Sequence, residues 1–382
     1  MKKKMLGNKV AQAATTVPRR ALAVFVAVAL ACTGIVAPAT AFADEATGAG
    51  TLTTQAVTPD GNFYYTIESD GVHLEGYKGS SKTVVVPAKI EGKNVVFVQI
   101  VQSGLTSLDV SACTALRTLW CDENALTTLD VSKNLKLREL SCSSNKLTAL
   151  NIRKNTKLVD LNCIINKLTV LDVSKNKKLK SLGCSDNKLT KLDVTKNTKL
   201  KELACGNNKL AKLKVSKNIN LTWLSCSINK LKKLDVSKNK KLAGLDCSDN
   251  KLTKINVANN KKLWNLDCAR NKLIKLDTTK NVKLEVLILD STKLKKLNVI
   301  NNTKLEILSC TDNKLVRLDV SNNKKLEVLF CNDNKLTELD ISKNKKLKWL
   351  ECQHNSISDT SKLKSWLKKK GHTGTVAPQY VW

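Results

Sequence analysis

Hydrophobic and polar positions recur along most of this chain with a period of 21 residues, not with the 3.6 of a helix or the 2 of an isolated strand. One leucine column runs from Leu116 to Leu347 and a second from Leu119 to Leu350. A third runs from Leu126 to Leu336 and closes with Ile357. Cysteines form a fourth column at 121, 142, 163, 184, 205, 226, 247, 268, 310, 331 and 352, with Leu289 at the one missing step. Asn124 starts a column broken only by Thr292, and Asn134 starts another that reaches Asn344 without a break. The unit is L-x-x-L-x-C-x-x-N-x-L-x-x-L-D-V-S-K-N-x-x.

A period of this length is a stacked-repeat signature. The unit predicts a leucine-rich-repeat solenoid: β-rich, with a parallel sheet on the concave face, little helix and about twelve coils. Strands in adjacent coils lie about 4.8 Å apart, so the array is about 55 Å long. A single coil cannot bury its apolar side, so stability comes from stacking. The leucines fill the interior, where each burial is worth about 1.5–3 kcal/mol. The asparagines stand at the turns out of the strands, where a buried amide must find backbone partners in the coil beside it. Val131, Ile152 and Val173 point to a second, short extended segment on the convex side.

The cysteines point inward with the leucines and act as small apolar residues. A disulfide framework is the usual expectation for an exported cysteine-rich chain. Parallel ladder positions, however, put Cβ atoms about 4.8 Å apart, beyond the usual disulfide range. No C-x-x-C pair occurs, which argues against a metal site. Cys113 falls on the second asparagine column and is expected to be partly exposed.

The ends differ from the middle. Lys2, Lys3, Lys4, Lys9, Arg19 and Arg20 precede an apolar run from Ala21 to Val36 and a small-residue site at Ala41-Phe42-Ala43. Residues 1–43 therefore read as a secretory signal peptide. Leu30-Ala31-Cys32 is a poor lipoprotein signal, since Ala29 stands where a larger aliphatic is usual, and Arg19-Arg20 is a weak twin-arginine match. No later apolar run approaches the ~20 residues needed to span a bilayer. Residues 44–61 are a disordered lead. Residues 62–104 form a β-rich N-terminal cap with a hairpin around Ser69-Asp70-Gly71. The solenoid is set at 105–357 and a C-terminal helical cap and tail at 358–382. In that helix Asp359 or Ser361 is the cap, Leu363, Trp366 and Leu367 share one face, Lys368 to Lys370 fill the last turn, and Gly371 ends it.

Charge follows the columns. The formal charge of +32 falls by the six cations of the leader to +26. The position after the first asparagine is Lys in 10 of 12 coils. Its members Lys146, Lys167, Lys188, Lys209, Lys230, Lys251 and Lys272 are the candidate polyanion-binding residues. The outward positions of the concave strand and its exit carry thirteen acidic residues and one cation, Arg270. Late in the array the same face carries Val286, Ile288, Ile307, Val328, Phe330 and Trp349, an apolar cluster expected to be exposed. With Trp120 and Trp223 these are the candidate partner-binding residues. Leu289 and Thr292 interrupt two columns beside the cluster, and a local change of curvature is expected there.

The unit, read from about Leu105 to Ile357, resembles the cysteine-ladder repeats of the internalin J family of bacterial surface proteins. The resemblance implies a leucine-rich-repeat adhesin that binds host partners on its concave face. The family's wall-anchor signal and its trailing immunoglobulin-like and mucin-binding-type repeats have no match in this sequence, and its N-terminal cap is helical where this one reads as β.

Together these features predict a noncatalytic recognition protein, secreted or noncovalently held at the cell surface. Its partner is a protein or glycoprotein bound in the concavity. The alternative is a wall-associated binder of teichoic-type polymers or sulfated glycans, held by the lysine columns. An enzyme is not expected: His73, His354 and His372 are the only histidines, and no Ser/His/Asp arrangement is visible. No cofactor or metal is implied. Specific nucleic-acid binding is not expected either, because only five Arg, the residue most used for base readout, follow the leader.

Overall fold

In the computed structural model, residues 56–380 are described. The predicted signal peptide and most of the lead lie outside them. The chain divides into two compact units, the described parts of which are 56–221 and 222–380. Both are leucine-rich-repeat solenoids.

In the first unit, Phe63–Glu68 and Gly71–Tyr77 form an antiparallel hairpin, closed where Glu68 pairs with Gly71. Gly71 is at φ 144°, and a Cβ there would strike Asn94 O and Val96, so the turn requires glycine. Gly71–Tyr77 then pairs in parallel with Lys93–Gln99, and Lys93–Gln99 in parallel with Thr118–Trp120. Four three-residue strands follow in parallel: 139–141, 160–162, 181–183 and 202–204. Lys93–Gln99 thus stands one period before the first regular strand. Val95, Val98 and Ile100 take the places of Leu116, Leu119 and Cys121, and all are fully buried. The cap is joined to the coils by supplying one.

Cys113 is 1% exposed, correcting the expectation of partial exposure. Its thiol donates to the carbonyls of Val86 and Pro87, 3.6 and 3.4 Å away. The cap covers the position that an asparagine occupies in later coils.

In the second unit, seven strands from Trp223–Ser225 to Trp349–Glu351 pair in parallel, each central leucine opposite the next. The register passes Leu289 and Thr292 without a shift. Leu289 is fully buried, so it fills the cysteine site.

The last coil is closed by the tail. Thr373–Thr375 pairs in parallel with Trp349–Glu351. Val376 is buried at the place of a cysteine. Gln379 donates to Cys352 O and Val376 O and accepts from the Ile357 amide, as the ladder asparagines do in their own coils. Gly374, φ 142°, lies where a Cβ would collide with the Leu350 carbonyl. The helix Ser361–Leu367 has Thr360 at its N-cap, without a side-chain cap bond, in place of the expected Asp359 or Ser361; Asp359 instead accepts the Ser361 amide at 2.9 Å in the turn just before. The helix ends before Lys368–Lys370, so Lys364 is the cation of its last turn.

Within a coil the strand exit is a left-handed residue. Glu123, Ser144, Ile165, Asp186 and Asn207 in the first unit have φ between 46° and 56°. Ile228, Asp249, Arg270, Ser291, Asp312, Asp333 and His354 continue the column in the second. Ile165 and Ile228 hold this conformation against β-branching, a local strain imposed by the repeat. The convex side carries two consecutive tight turns: Asn134 N donates to Val131 O, and Leu137 N to Asn134 O, both at 3.1 Å. Before them the aspartate of L-D-V-S accepts the amide two residues on, as in Asp130–Ser132 at 2.8 Å and Asp235–Ser237 at 2.9 Å. That bond and the companion hydroxyl pull these carboxyls below their ordinary pKa.

All twelve cysteines among the described residues are buried, and none is in a disulfide. The sulfurs of Cys247 and Cys268 are 3.5 Å apart, a thiol contact rather than a bond. Burial raises the thiols: Cys184 is pushed up to about 12 and Cys113 to about 11.

Candidate functional site

On a strand of three residues, the first and third side chains face outward and the middle leucine faces the core. Neighbouring coils repeat this at about 4.8 Å, so each outward side chain is flanked by those of the adjacent coils. In the second unit, Val286, Ile307, Val328 and Trp349 stand in one parallel row, and Ile288, Ser309, Phe330 and Glu351 in the next.

This arrangement corrects part of the sequence reading. Val286, Ile307 and Val328 are only 3%, 3% and 2% exposed and form a buried cluster. They cover one another across the strands. Ile288, Phe330 and Trp349 are half-buried and pack against that cluster. The solvent-facing part of the patch is therefore these three residues on a hydrophobic bed. Phe330 and Trp349 meet edge to face at 5.4 Å and 80°. The Trp349 indole N–H donates to Glu351 at 3.1 Å, which leaves the ring faces as the apolar surface.

A rim of acids, partly missed from the sequence, borders the patch. Glu285, Glu306 and Glu327 precede the three strands, tied by backbone bonds of 2.8 Å from each amide to the carbonyl one coil before. Lys348 reaches Glu327 at 3.3 Å. On the other side Asp290 accepts the Ser309 hydroxyl at 2.6 Å and the Thr311 amide at 2.9 Å. Burial still raises its carboxyl. Asp267, 4% exposed beside Asp246, is raised well above an ordinary carboxylate by burial and by that neighbour. A strand face of this kind holds its negative charge under protest and favours a cation brought to it.

Trp223 is half-buried with its ring laid over Gly244, directly opposite on the next strand; any Cβ at 244 would run into the indole. Trp264 lies 6.3 Å from it, ring to ring. Neither the glycine nor Trp264 was singled out by the sequence, although a glycine following a tryptophan by one period is a readable sign. In the first unit Trp120 is half-buried and meets Phe97 edge to face at 5.2 Å, and Phe97 stacks on His73 at 5.1 Å. In the outward row of Phe97 and Thr118, Glu139 and Asp160 follow on the next two strands and Glu202 stands two strands further on, all raised by burial.

The three histidines are engaged separately. His73 bonds Asp70 at 2.9 Å, His354 bonds Asp333 at 2.9 Å and stacks on Tyr380, and His372 bonds Trp366 O at 2.8 Å.

Lys146, Lys167, Lys188 and Lys209 of the first unit, and Lys230, Lys251 and Lys272 of the second, are all exposed. The Lys251 amide donates to Leu231 O at 2.9 Å and that of Lys272 to Leu252 O at 2.8 Å, which fixes each lysine one coil from the last. No helix among the described residues is long and apolar enough to cross a membrane.

This fold and ladder are similar to solved structures. InlJ of Listeria monocytogenes, whose functional domain includes a cysteine ladder, superposes with a TM-score of 0.62 at 39% identity, over 70% of this chain and 64% of that one. This chain therefore spans less than two thirds of the InlJ structure. A leucine-rich-repeat protein of Leptospira interrogans matches with a TM-score of 0.64 at 28% identity, over 71% of this chain and 78% of the other. The internalin InlF of Listeria monocytogenes shares the fold, with a TM-score of 0.64 at 24% identity over 74% and 86%. No family model matches the chain, and no curated protein matches it. The chain is a leucine-rich-repeat protein with 21-residue cysteine-ladder repeats, and it resembles InlJ in both.

Proposed function

We propose that this cysteine-ladder protein is a noncatalytic recognition protein, exported to the cell surface or beyond, that binds a protein or glycoprotein on its strand face. The single observation that carries the reading is the half-buried trio Ile288, Phe330 and Trp349 on its buried valine–isoleucine bed, rimmed by Glu285, Glu306 and Glu327. Aromatic anchors with a hydrophobic floor and a polar rim are the usual makings of a binding hot spot. The rim's sign selects a partner with a basic or mixed face. The resemblance to InlJ, a bacterial repeat protein with the same ladder, supports a role in interaction rather than in chemistry.

The test is a salt titration of the protein bound to mucosal glycoprotein and to its own cell-wall fraction, repeated with Phe330→Ala plus Trp349→Ala. Binding to the glycoprotein should survive a few tenths molar salt and weaken at least tenfold in the double variant, about 1.4 kcal/mol or more. Undiminished binding by that variant would sink the strand-face reading.

A second reading rests on a different observation: the exposed lysines that recur coil by coil within each unit, Lys146, Lys167, Lys188 and Lys209 in the first and Lys230, Lys251 and Lys272 in the second. These would hold anionic wall or host glycans. Under it, binding to the wall fraction fades by a few tenths molar salt and ignores Phe330 and Trp349.

A further inference from the structure

The lysine that follows each strand-side asparagine is not alone. In the second unit a second cation recurs three residues on, across one buried leucine. The pairs are Lys230/Lys233, Lys251/Lys254, Lys272/Lys275, Lys293/Lys296 and Lys314/Arg317, and all ten side chains are exposed. In the first unit Lys188/Lys191 and Lys209/Lys212 repeat the pairing. Lys146 and Lys167 do not, because Ala149 and Val170 stand at the second position.

We propose that a linear polyanion carrying repeated phosphate or sulfate groups lies along this double row, crossing the coils from Lys230 to Arg317. The assignment sharpens the second reading above and rests on it. Three features support it. First, none of the ten cations forms an ion pair among the described residues. The aspartates that close the next turn are engaged elsewhere: Asp235 and Asp277 hold their own turn amides, and the cations acting on them are Lys238 and Lys280. Second, the first row is locked in register. The amides of Lys251, Lys272, Lys293 and Lys314 each donate to a leucine carbonyl one coil back, at 2.8–2.9 Å. The backbone bonds anchor the stems one coil apart, so the charges recur at that pitch on average although each ammonium remains mobile. Third, two cations per coil at a pitch of about 4.8 Å amount to roughly one charge every 2.4 Å, close to the one per about 1.7 Å of duplex DNA. A row that dense gathers small anions, and a polymer that displaces them gains their release.

The chemistry of the row favours charge over base recognition. Nine of its ten cations are lysines, which bind as point charges without the planar fork of arginine. The residues between the paired cations are Lys232, Thr253, Ile274, Lys295 and Val316, with no aromatic on which a base could stack.

The experiment measures the affinity of the protein for long-chain inorganic polyphosphate, tripolyphosphate, heparin and single-stranded DNA between 0.05 and 0.3 M salt. One variant carries Lys254→Gln, Lys275→Gln and Lys296→Gln, in the row. A second carries Lys240→Gln, Lys261→Gln and Lys324→Gln, which lose the same charge from the turn before the strand. The row variant should lose at least tenfold in affinity for long polyphosphate or heparin. Its log–log salt slope should fall by about 2–3, as three fewer displaced ions require. The turn variant should lose less than threefold. Whichever of polyphosphate and heparin binds more tightly identifies phosphate or sulfate as the natural group. Tripolyphosphate, too short to cross several coils, should bind far more weakly than the long chain.

Equal losses in the two variants would overturn the row and leave only a nonspecific basic surface, while the second reading would stand. Failure of every polyanion to bind would overturn both. Tightest binding to DNA, surviving 0.3 M salt, would also overturn the proposal, since that needs contacts the row does not offer. Phe330→Ala plus Trp349→Ala should leave all these affinities unchanged, which separates this row from the strand face.

Discussion

Asn166 and Asn176 belong to one coil and are both buried, yet the first uses both ends of its amide and the second only one. Asn166 donates to the carbonyls of Cys142, Cys163 and Ile164 at 2.9, 3.2 and 3.3 Å, and its oxygen accepts the Leu147 amide at 2.9 Å. Asn176 donates to Ile152 O and Asn155 O at 3.0 and 2.9 Å, and its oxygen has no partner. The same holds for Asn134, Asn155 and Asn197 in this unit and for Asn260, Asn281, Asn323 and Asn344 in the other. The strand-side column has to close the exit from the strand, where amides and carbonyls both point inward. The convex column has to close two tight turns whose amides are already used, so only carbonyls remain to be met. A carbonyl oxygen left over is a smaller loss than a stranded N–H. The two columns are therefore unequal in what they hold, although each is an asparagine repeated at the same period.

The most severe way to break this comparison is to remove one member of each column. Asn166→Ala strands an amide and weakens the satisfaction of three carbonyls, and should cost about 4 kcal/mol. Asn176→Ala removes the second donor from two carbonyls that keep their turn amides, Asn155 N on Ile152 O and Leu158 N on Asn155 O, and relieves one orphan oxygen, so it should cost about 2 kcal/mol at most. Chemical denaturation measures both. Because repeats open locally, alkylation of Cys142 and Cys163 in the folded protein gives a second readout. These thiols are buried, and burial raises their pKa, so they react only when a coil opens. Asn166→Ala should speed their modification more than Asn176→Ala. Equal effects in both measurements would show that the columns are equivalent after all.

Much of this fold could be read along the chain, and the limits are physical. Columns of Leu, Cys and Asn announce a solenoid because each coil repeats the same burial. What one residue type does at two places in a coil depends on which backbone groups are already taken, and periodicity does not carry that. The aspartate of L-D-V-S was visible as a column, but its bond to Ser132 or Ser237 depends on turn geometry. The left-handed exit was only weakly signalled: Asp186, Asn207, Asp249, Asp312 and Asp333 tolerate that region, but Glu123, Ile165, Ile228 and Arg270 at the same column do not favour it and none is glycine. Val286, Ile307 and Val328 read as exposed because alternation along one strand says nothing of cover from its neighbours. The closing coil was missed because the helix 361–367 shifts its register: Thr373 faces Trp349, where an unbroken period would have set Lys370.

A milder change sharpens the comparison from within the second column. At position 278 a threonine replaces the usual valine, and its hydroxyl donates to Asn302 Oδ1 at 2.9 Å. Asn302 still donates to Thr278 O and Asn281 O at 3.0 Å each, so only its oxygen differs from the orphans elsewhere. Thr278→Val should therefore cost about 1 kcal/mol, the net worth of one buried hydrogen bond.

The converse substitution has the smallest expected effect and discriminates best. Asn197 donates to Val173 O at 2.9 Å, the same contact that Asn302 makes with Thr278. Val173→Thr thus places a hydroxyl where an unpartnered oxygen waits. Burying a hydroxyl without a partner ordinarily costs about 1–3 kcal/mol. Here the new bond should offset that, leaving stability within about 0.5 kcal/mol of the parent. In an Asn197→Ala background the acceptor is gone, and the same Val173→Thr should cost its full penalty. A double-mutant cycle by denaturation isolates the difference. A coupling near zero would mean that the orphan oxygen is already satisfied, for instance by water, and that the second column is as complete as the first.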